Sequence, residues 1–254
     1  MISKVLRQVG WEQKSYWRNP GAAAFTFAFP LLFLVIFIAI NGNETIPFSG
    51  GRVRFAQYYV PSIVAFGVIS ACYTNLAFTI SVRRETGLLK RTRGTPLPPA
   101  AYLFGIFGNV MVIAAILTSL VIALGIIVYG VTFPGRYLAL IVSIAVGAFC
   151  FSSLGVAIST FVPNQDAAPA IINFVIFPLL FISGTFGQVG SDSIPGRIAS
   201  VFPVRHLNQS IVAVFDPFAT GQGLQLTHLA VMAAWGVGGV VISLSRFQWE
   251  PRRS

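Results

Sequence analysis

The sequence has little charge of either sign and very few acidic residues. Only 9% of its 254 residues are Asp, Glu, Lys or Arg, and just seven of these are acidic, whereas 55% of the chain is apolar. The mean hydropathy is +0.78. About a quarter of the residues in an ordinary soluble domain are charged. The composition therefore excludes such a domain and indicates an integral membrane protein.

Cysteine and the common catalytic motifs are also scarce. Cys72 and Cys150 are the only cysteines, and both lie inside apolar segments, so neither a disulfide framework nor a metal site is indicated. The sequence contains no G-x-x-x-x-G-K-[ST] loop for nucleotide phosphates and no H-E-x-x-H metal motif. We therefore expect a chain that is not an enzyme and holds no cofactor, so active transport would need ATP hydrolysis on another polypeptide.

Six apolar stretches are long enough, at about 20 residues, to cross a bilayer as helices. They run near 22–40, 57–80, 102–129, 137–160, 169–187 and 226–245. No stretch alternates between polar and apolar residues, which excludes a barrel of strands. His228 is the only residue with a basic or acidic side chain inside these stretches. The sequence therefore predicts an all-α integral membrane protein with six transmembrane helices, the first of them an uncleaved span.

The distribution of basic residues predicts the orientation of these spans. Six spans place both termini on one side, and that side carries twelve Lys and Arg residues against five on the other. Because cytoplasmic loops are enriched in Lys and Arg, both termini are expected in the cytoplasm. The same rule accounts for the net charge of +10 without a nucleic-acid partner.

The first twenty residues form a predicted unit of their own, ahead of a single transmembrane domain over 21–254. Apolar residues recur there at helical spacing, and the basic residues fall largely on the other face. The apolar set is Ile2, Val5, Leu6, Val9, Tyr16 and Trp17. This pattern predicts an amphipathic helix along the cytoplasmic leaflet of the bilayer. The alternative is a simple basic anchor that only fixes topology.

The most charged cytoplasmic loop reads RRETGLLKRTRGTPLPP, residues 83–99. The second span can continue into this loop, Gly87 permits a bend, and the prolines from Pro96 to Pro99 force an extended stop before the third span. A short helix between Arg84 and Arg93 fits this punctuation. From the residues alone, a basic loop without any partner fits as well.

Two motifs resemble those of a known family. The first is Glu85-Thr86-Gly87-Leu88-Leu89-Lys90-Arg91 followed by Thr95-Pro96-Leu97. The second comprises Asn164-Gln165, the stretch FPLLFISGTF at 177–186, Phe202-Pro203-Val204-Arg205-His206-Leu207 and Phe215-Asp216-Pro217. In this order between six spans, they resemble the membrane subunits of type-2 ABC exporters, a class that includes bacterial drug, lipid and polysaccharide permeases.

The resemblance implies a partner and a coupling segment. In this family two permeases meet two cytoplasmic ATPase subunits, which hold the ATP and Mg, and the segment after the second span is a coupling helix seated on the ATPase. The residues it implies for coupling are Arg84, Glu85, Gly87, Leu88, Leu89, Lys90 and Arg91. It also implies a multi-pass protein of the bacterial inner membrane that pairs with a second copy of itself or with a related permease.

The resemblance further implies a pathway and an extracellular gate. Asn173, Phe177, Phe181 and Phe186 are its pathway candidates, although for Asn173 a hydrogen bond between helices is the favoured explanation. The loop 188–226 is too apolar for a free loop, so we expect short re-entrant helices there, with Pro203, Arg205 and His206 as gate candidates. A snorkelling or hydrogen-bonding role is the alternative for the last two residues.

Three functions follow from these expectations. The first is an ABC exporter permease for a hydrophobic or amphipathic substrate such as a drug, lipid or glycolipid. The second is a passive channel or a scaffold subunit. The third is a secondary carrier, which the absence of carboxylates at membrane depth disfavours.

Overall fold

The computed structural model describes residues 2–94, 97–133, 135–190 and 192–247. The chain is mostly helical. Its helices are α1 (Ile2–Trp17), α2 (Pro20–Asn41), α3 (Phe55–Ile69), α4 (Asn75–Glu85), α5 (Leu88–Arg93), α6 (Pro99–Tyr129), α7 (Tyr137–Ser159), α8 (Ala168–Ile182), α9 (Ile194–Ala199), α10 (Pro203–Val214) and α11 (Leu226–Arg246). Two short strands, β1 (Thr45–Phe48) and β2 (Gly51–Arg54), pair antiparallel.

The centre of the bundle is the helix formed by α3 and α4. All fifteen residues of α3 are buried, and α2, α6, α7 and α10 pack around it. A π-helical segment, Ser70–Thr74, joins α3 to α4 without breaking the helix, and the N–H of Asn75 bonds to the carbonyl of Ser70. Segments of this type are frequent at functional sites.

Small residues let α7 pack closely against its neighbours. A Cβ atom added to Gly155 would lie 2.8 Å from the carbonyl oxygen of Tyr73, and one added to Gly239 of α11 would lie 2.9 Å from the backbone of Ser153. Gly155 of α7 and Gly239 of α11 therefore serve close contacts between helices inside this chain.

Within the described part of the chain, five helices are long and apolar enough to cross a membrane. They are Ala23–Asn41, Phe55–Glu85, Ala101–Tyr129, Tyr137–Ser159 and Leu226–Arg246. The stretch predicted as a fifth span, 169–187, corresponds to α8, which ends at Ile182 after 15 residues and is too short to span about 30 Å of hydrocarbon. The helix of the second predicted span, 57–80, continues to Glu85, as the sequence of the basic loop allowed.

The loops gather at two ends of the bundle. The hairpin end comprises the described residues of 42–54, 130–136 and 183–225, where Gln188 donates to the carbonyl of Pro47 and Gln57 donates to those of Thr132 and Phe215. The coupling end comprises α1, α5 and the loop 160–167. The loops alternate between these two ends along the chain, and which end faces the cytoplasm stays a prediction. The short β-hairpin of β1 and β2 was not predicted, although the helical class of the fold agrees with the expectation.

Helix α1 packs against α6 as well as presenting an apolar face outward. Cβ atoms added to Gly105 and Gly108 of α6 would lie 2.2 Å and 2.5 Å from the side chains of Gln8 and Val9. On its outer face Leu6 and Trp11 are exposed. The predicted amphipathic helix is therefore present, but its inner face belongs to the bundle.

Candidate functional site

The last three residues of α4 each bond to a different segment of the coupling end, and they are Arg83, Arg84 and Glu85. Arg83 forms an ion pair with Glu12 of α1, at 2.6 Å between Nη2 and Oε2, and donates a second bond from Nη1 to Oε1 at 2.8 Å. It also donates to the hydroxyl of Tyr102 on α6 at 3.1 Å. Arg83 thus joins α1, α4 and α6.

The next two residues turn to the other side of α4. Arg84 is 4% exposed and donates to the backbone carbonyls of Ser159, at 2.9 Å, and Val162, at 2.5 Å. The carboxylate of Glu85 accepts a bond from the backbone N–H of Gln165. The three consecutive residues therefore fix the end of α4 to α1, to the end of α7 and to the loop before α8. We call this set of contacts the junction.

The short helix α5 follows the junction directly. Gly87 has φ +71°, a left-handed conformation that glycine adopts without strain, and it turns the chain from α4 into α5. The predicted helix of the basic loop therefore exists, but it begins at Leu88 instead of Arg84. The proposed stop at Thr95-Pro96 lies outside the described residues.

The predicted coupling residues divide into an exposed and a buried group. Glu85, Leu88, Lys90 and Arg91 are exposed, with Leu88 at 43%. Leu89 is fully buried in the hydrophobic core. Arg84 and Leu89, two of the predicted coupling residues, are therefore not at the surface, because Leu89 packs into the core and Arg84 bonds to the carbonyls of Ser159 and Val162. A partner could contact only the exposed group directly.

A cleft of about 440 Å³ lies between α2, the π-helical segment and α8. Phe25, Phe29, Phe66 and Phe78 supply its aromatic walls, and Ser70, Thr74 and Asn75 its polar surface. Among the described residues that line it, none carries a charged side chain. Such a cleft suits an apolar or amphipathic molecule with one hydrogen-bonding group.

The four pathway candidates lie in and next to this cleft. Asn173 and Phe177 line it. Phe186 does not, and its ring packs instead against those of Phe33, Phe37 and Phe66. Phe181 is 63% exposed, and its ring centre is 5.1 Å from that of Phe186. The structure thus brings two candidates to the cleft and places the other two beside its wall.

The three gate candidates begin α10 at the hairpin end. Pro203, Arg205 and His206 are all buried. The Nδ1 atom of His206 lies 2.8 Å from Nδ1 of His228, and its Nε2 lies 2.7 Å from the carbonyl oxygen of Ser200. Because a carbonyl accepts only, Nε2 of His206 carries a proton. Sequence reasoning missed this histidine pair, although the only two histidines of the chain form it.

The fold and these features define a multi-pass membrane protein with an apolar cleft and a charged helix at one end. The chain belongs to the ABC-2 family of transporter proteins, since the family described as "ABC-2 family transporter protein" matches residues 39–245. No curated protein sequence matches the chain. The family match confirms the resemblance seen in the sequence, and the chain is an ABC transporter permease. The match includes the junction residues of α4, α5 and the whole of α8 to α10, but not α1.

Proposed function

We propose that this chain is the membrane subunit of an ABC exporter in the bacterial inner membrane, with both termini in the cytoplasm. A separate ATPase subunit holds the ATP and Mg, and a second permease completes the assembly. The observation that carries this proposal is the combination of an exposed short helix, α5, with the junction directly behind it. A force applied to α5 has a physical route into the bundle.

The route runs through buried contacts. Leu89 anchors α5 in the core, so α5 and the end of α4 are held together on both sides of Gly87. Because Arg83 and Arg84 bond to α1 and to the end of α7, a shift of α4 shifts those helices with it. Packed interiors transmit such displacements because they compress little.

The cleft is the proposed substrate pathway. Its aromatic walls and uncharged polar groups favour a hydrophobic or amphipathic substrate. The exposed face of α8 beside it carries Phe174, 80% exposed, and Phe181. We propose that this face meets the second permease, so that the cleft lies between the two subunits. The described residues that line the cleft carry no ionisable group, which disfavours a secondary carrier because that class needs a site for the coupling ion.

The test is the recovery of an ATPase with the tagged chain from its native membranes, followed by truncation of Leu88. We expect Leu88→Ala to weaken ATPase binding about tenfold, because apolar anchors at the centre of an interface are worth roughly 1–2 kcal/mol each. Leu226→Ala, at an exposed leucine of the opposite end, is the matched control and should bind normally.

The alternatives give different results. A passive channel or scaffold would be recovered without any ATPase and would show flux that is independent of ATP. A secondary carrier would require an ion gradient in proteoliposomes. Normal ATPase binding by Leu88→Ala would contradict the role given to α5.

A further inference from the structure

Arg205 is a buried cation that lacks an acidic partner. Its side chain is 5% exposed. Among residues 2–94, 97–133, 135–190 and 192–247, the only ion pair is the one between Arg83 and Glu12. No carboxylate of those residues therefore lies within 4.0 Å of Arg205. Buried charges are normally paired, because removing a lone ion from water is costly. An unpaired one needs an explanation.

The guanidinium group is satisfied on one edge only. With the amide of Gln209 turned so that its oxygen faces Arg205, that oxygen accepts from Nε at 3.1 Å and from Nη2 at 3.3 Å. The Nη1 atom has no partner among the described residues and is itself buried. A neutral amide oxygen leaves the positive charge uncompensated, so the site retains its preference for an anion.

Arg205 lines a cavity of about 680 Å³ at the hairpin end. The floor is polar and buried, with Tyr58, Ser183 and Asn208 beside Arg205, while Ser49 and Gln188 form an exposed rim. No acidic residue is among the described residues that line it. It shares no lining residue with the apolar cleft. The cavity is large enough for a small charged group and is open to the surrounding water.

We propose that this cavity binds an anionic group of the phosphate type, with Arg205 as the residue that neutralises it. Guanidinium groups suit phosphate because their planar donors match its oxygens. The buried setting of Arg205 strengthens the attraction relative to a surface arginine, because water screens it less. If the chain is the exporter proposed above, this anion is the headgroup of an amphipathic substrate that leaves through the hairpin end, and that last step rests on the proposed function.

The test is a binding titration of the purified full chain in a non-ionic, phosphate-free detergent. Three probes separate the possible sources of the anion, namely inorganic phosphate, dioctanoyl phosphatidic acid and the uncharged dioctanoylglycerol. We expect phosphatidic acid to bind at least tenfold more tightly than dioctanoylglycerol. Arg205→Gln should remove this difference, since charge-assisted hydrogen bonds are worth about ten- to a hundredfold in affinity. Arg197→Gln, at an exposed arginine of the same end, should retain it.

A second variant keeps the arginine. Gln209→Glu has nearly the same shape as the native side chain but places a carboxylate against Nε and Nη2, so it should abolish anion binding and raise the unfolding temperature. Binding of inorganic phosphate that depends on Arg205 would identify a site for free anions. Binding of phosphatidic acid alone would identify a headgroup site. Equal affinities for all probes, or unchanged anion binding in both Arg205→Gln and Gln209→Glu, would overturn the proposal.

The result is independent of ATPase recruitment. Anion binding that depends on Arg205 in a chain that recovers no ATPase would leave the site intact and refute the exporter. Recovery of an ATPase complex by a chain that shows no such anion binding would support the exporter and refute the anion site.

Discussion

Loss of the carboxylate of Glu12 should weaken the attachment of α1 to α4 and lower the stability of the fold. The Glu12 side chain is 7% exposed and that of Arg83 is 16% exposed, and two short hydrogen bonds join them. Removing one partner of a buried ion pair costs about 3–5 kcal/mol, because the other charge stays buried and unpaired. Arg83 keeps its bond from Nη1 to Tyr102 and some contact with water. We therefore expect the lower end, about 3 kcal/mol, for Glu12→Gln.

The assay is thermal unfolding in detergent, arranged as a double-mutant cycle. For a chain of this size, about 3 kcal/mol corresponds to a fall of roughly 6–12 °C in Tm. Arg83→Gln should cost a similar amount, since it strands the carboxylate. The double variant leaves no unpaired charge, so it should be more stable than the sum of the two losses by about 1–3 kcal/mol. Glu44→Gln, at an exposed glutamate of the hairpin end, is the control and should not change Tm.

Additive losses in the double variant, within about 0.5 kcal/mol, would refute the reasoning. They would show that the two side chains act independently and that the contact between α1 and α4 contributes little to the fold.

Two further predictions concern packing and the junction. Gly239→Leu should lower the free energy of unfolding by about 1–3 kcal/mol, because its Cβ would collide with the backbone of α7. Gly238→Leu should be neutral, because nothing lies within 4 Å of a Cβ at that position. Thermal unfolding of the two variants side by side is the measurement, and equal losses of stability would contradict the prediction. Arg84→Gln should cost about 1.5–3 kcal/mol through its lost charge-assisted bonds to the carbonyls of Ser159 and Val162, measured in the same way against the exposed Arg91→Gln. A normal Tm for Arg84→Gln would show that those bonds do not stabilise the fold.

The long spans could be predicted because they depend on composition over many residues, whereas the orientation of the loops stays a prediction. Hydrocarbon thickness sets the length of a span, and any run of about 20 apolar residues satisfies it. The limits of such reasoning appear at α8. Its apolar run continues to Phe186, but the helix ends at Ile182 and Gly184 adopts a φ of +89°. Hydropathy measures where a chain prefers to lie, and it does not report where the backbone turns.

The junction could be predicted only in part. The order of Glu85 and Gly87 indicates a coupling segment by its resemblance to a family, and the bend at Gly87 follows from glycine itself. The inward direction of the Arg84 side chain could not be inferred, because its acceptors are backbone carbonyls. Every residue has such a carbonyl, so the sequence does not show which ones accept a bond. The partner of Arg83 lies 71 positions away, at Glu12. A single acidic residue in an otherwise basic amphipathic helix was the one available signal.

The cavity lined by Arg205 could not be predicted from the sequence either. Arg205 was a candidate only as part of a motif, and its unpaired burial depends on contacts with segments that lie far apart in the chain. The histidine pair of His206 and His228 depends in the same way on the packing of α10 against α11. Long-range contacts between polar residues leave no local pattern.

The π-helical segment Ser70–Thr74 absorbs one extra residue within the second span with little rotation of its two halves relative to each other. One residue added to or removed from a regular α-helix would instead turn everything after it by about 100°. Deleting a single residue from this segment should therefore restore a regular helix and leave Arg83 facing Glu12 and Arg84 facing the end of α7. The segment is thus a place where the chain could lose one residue while the junction keeps its contacts.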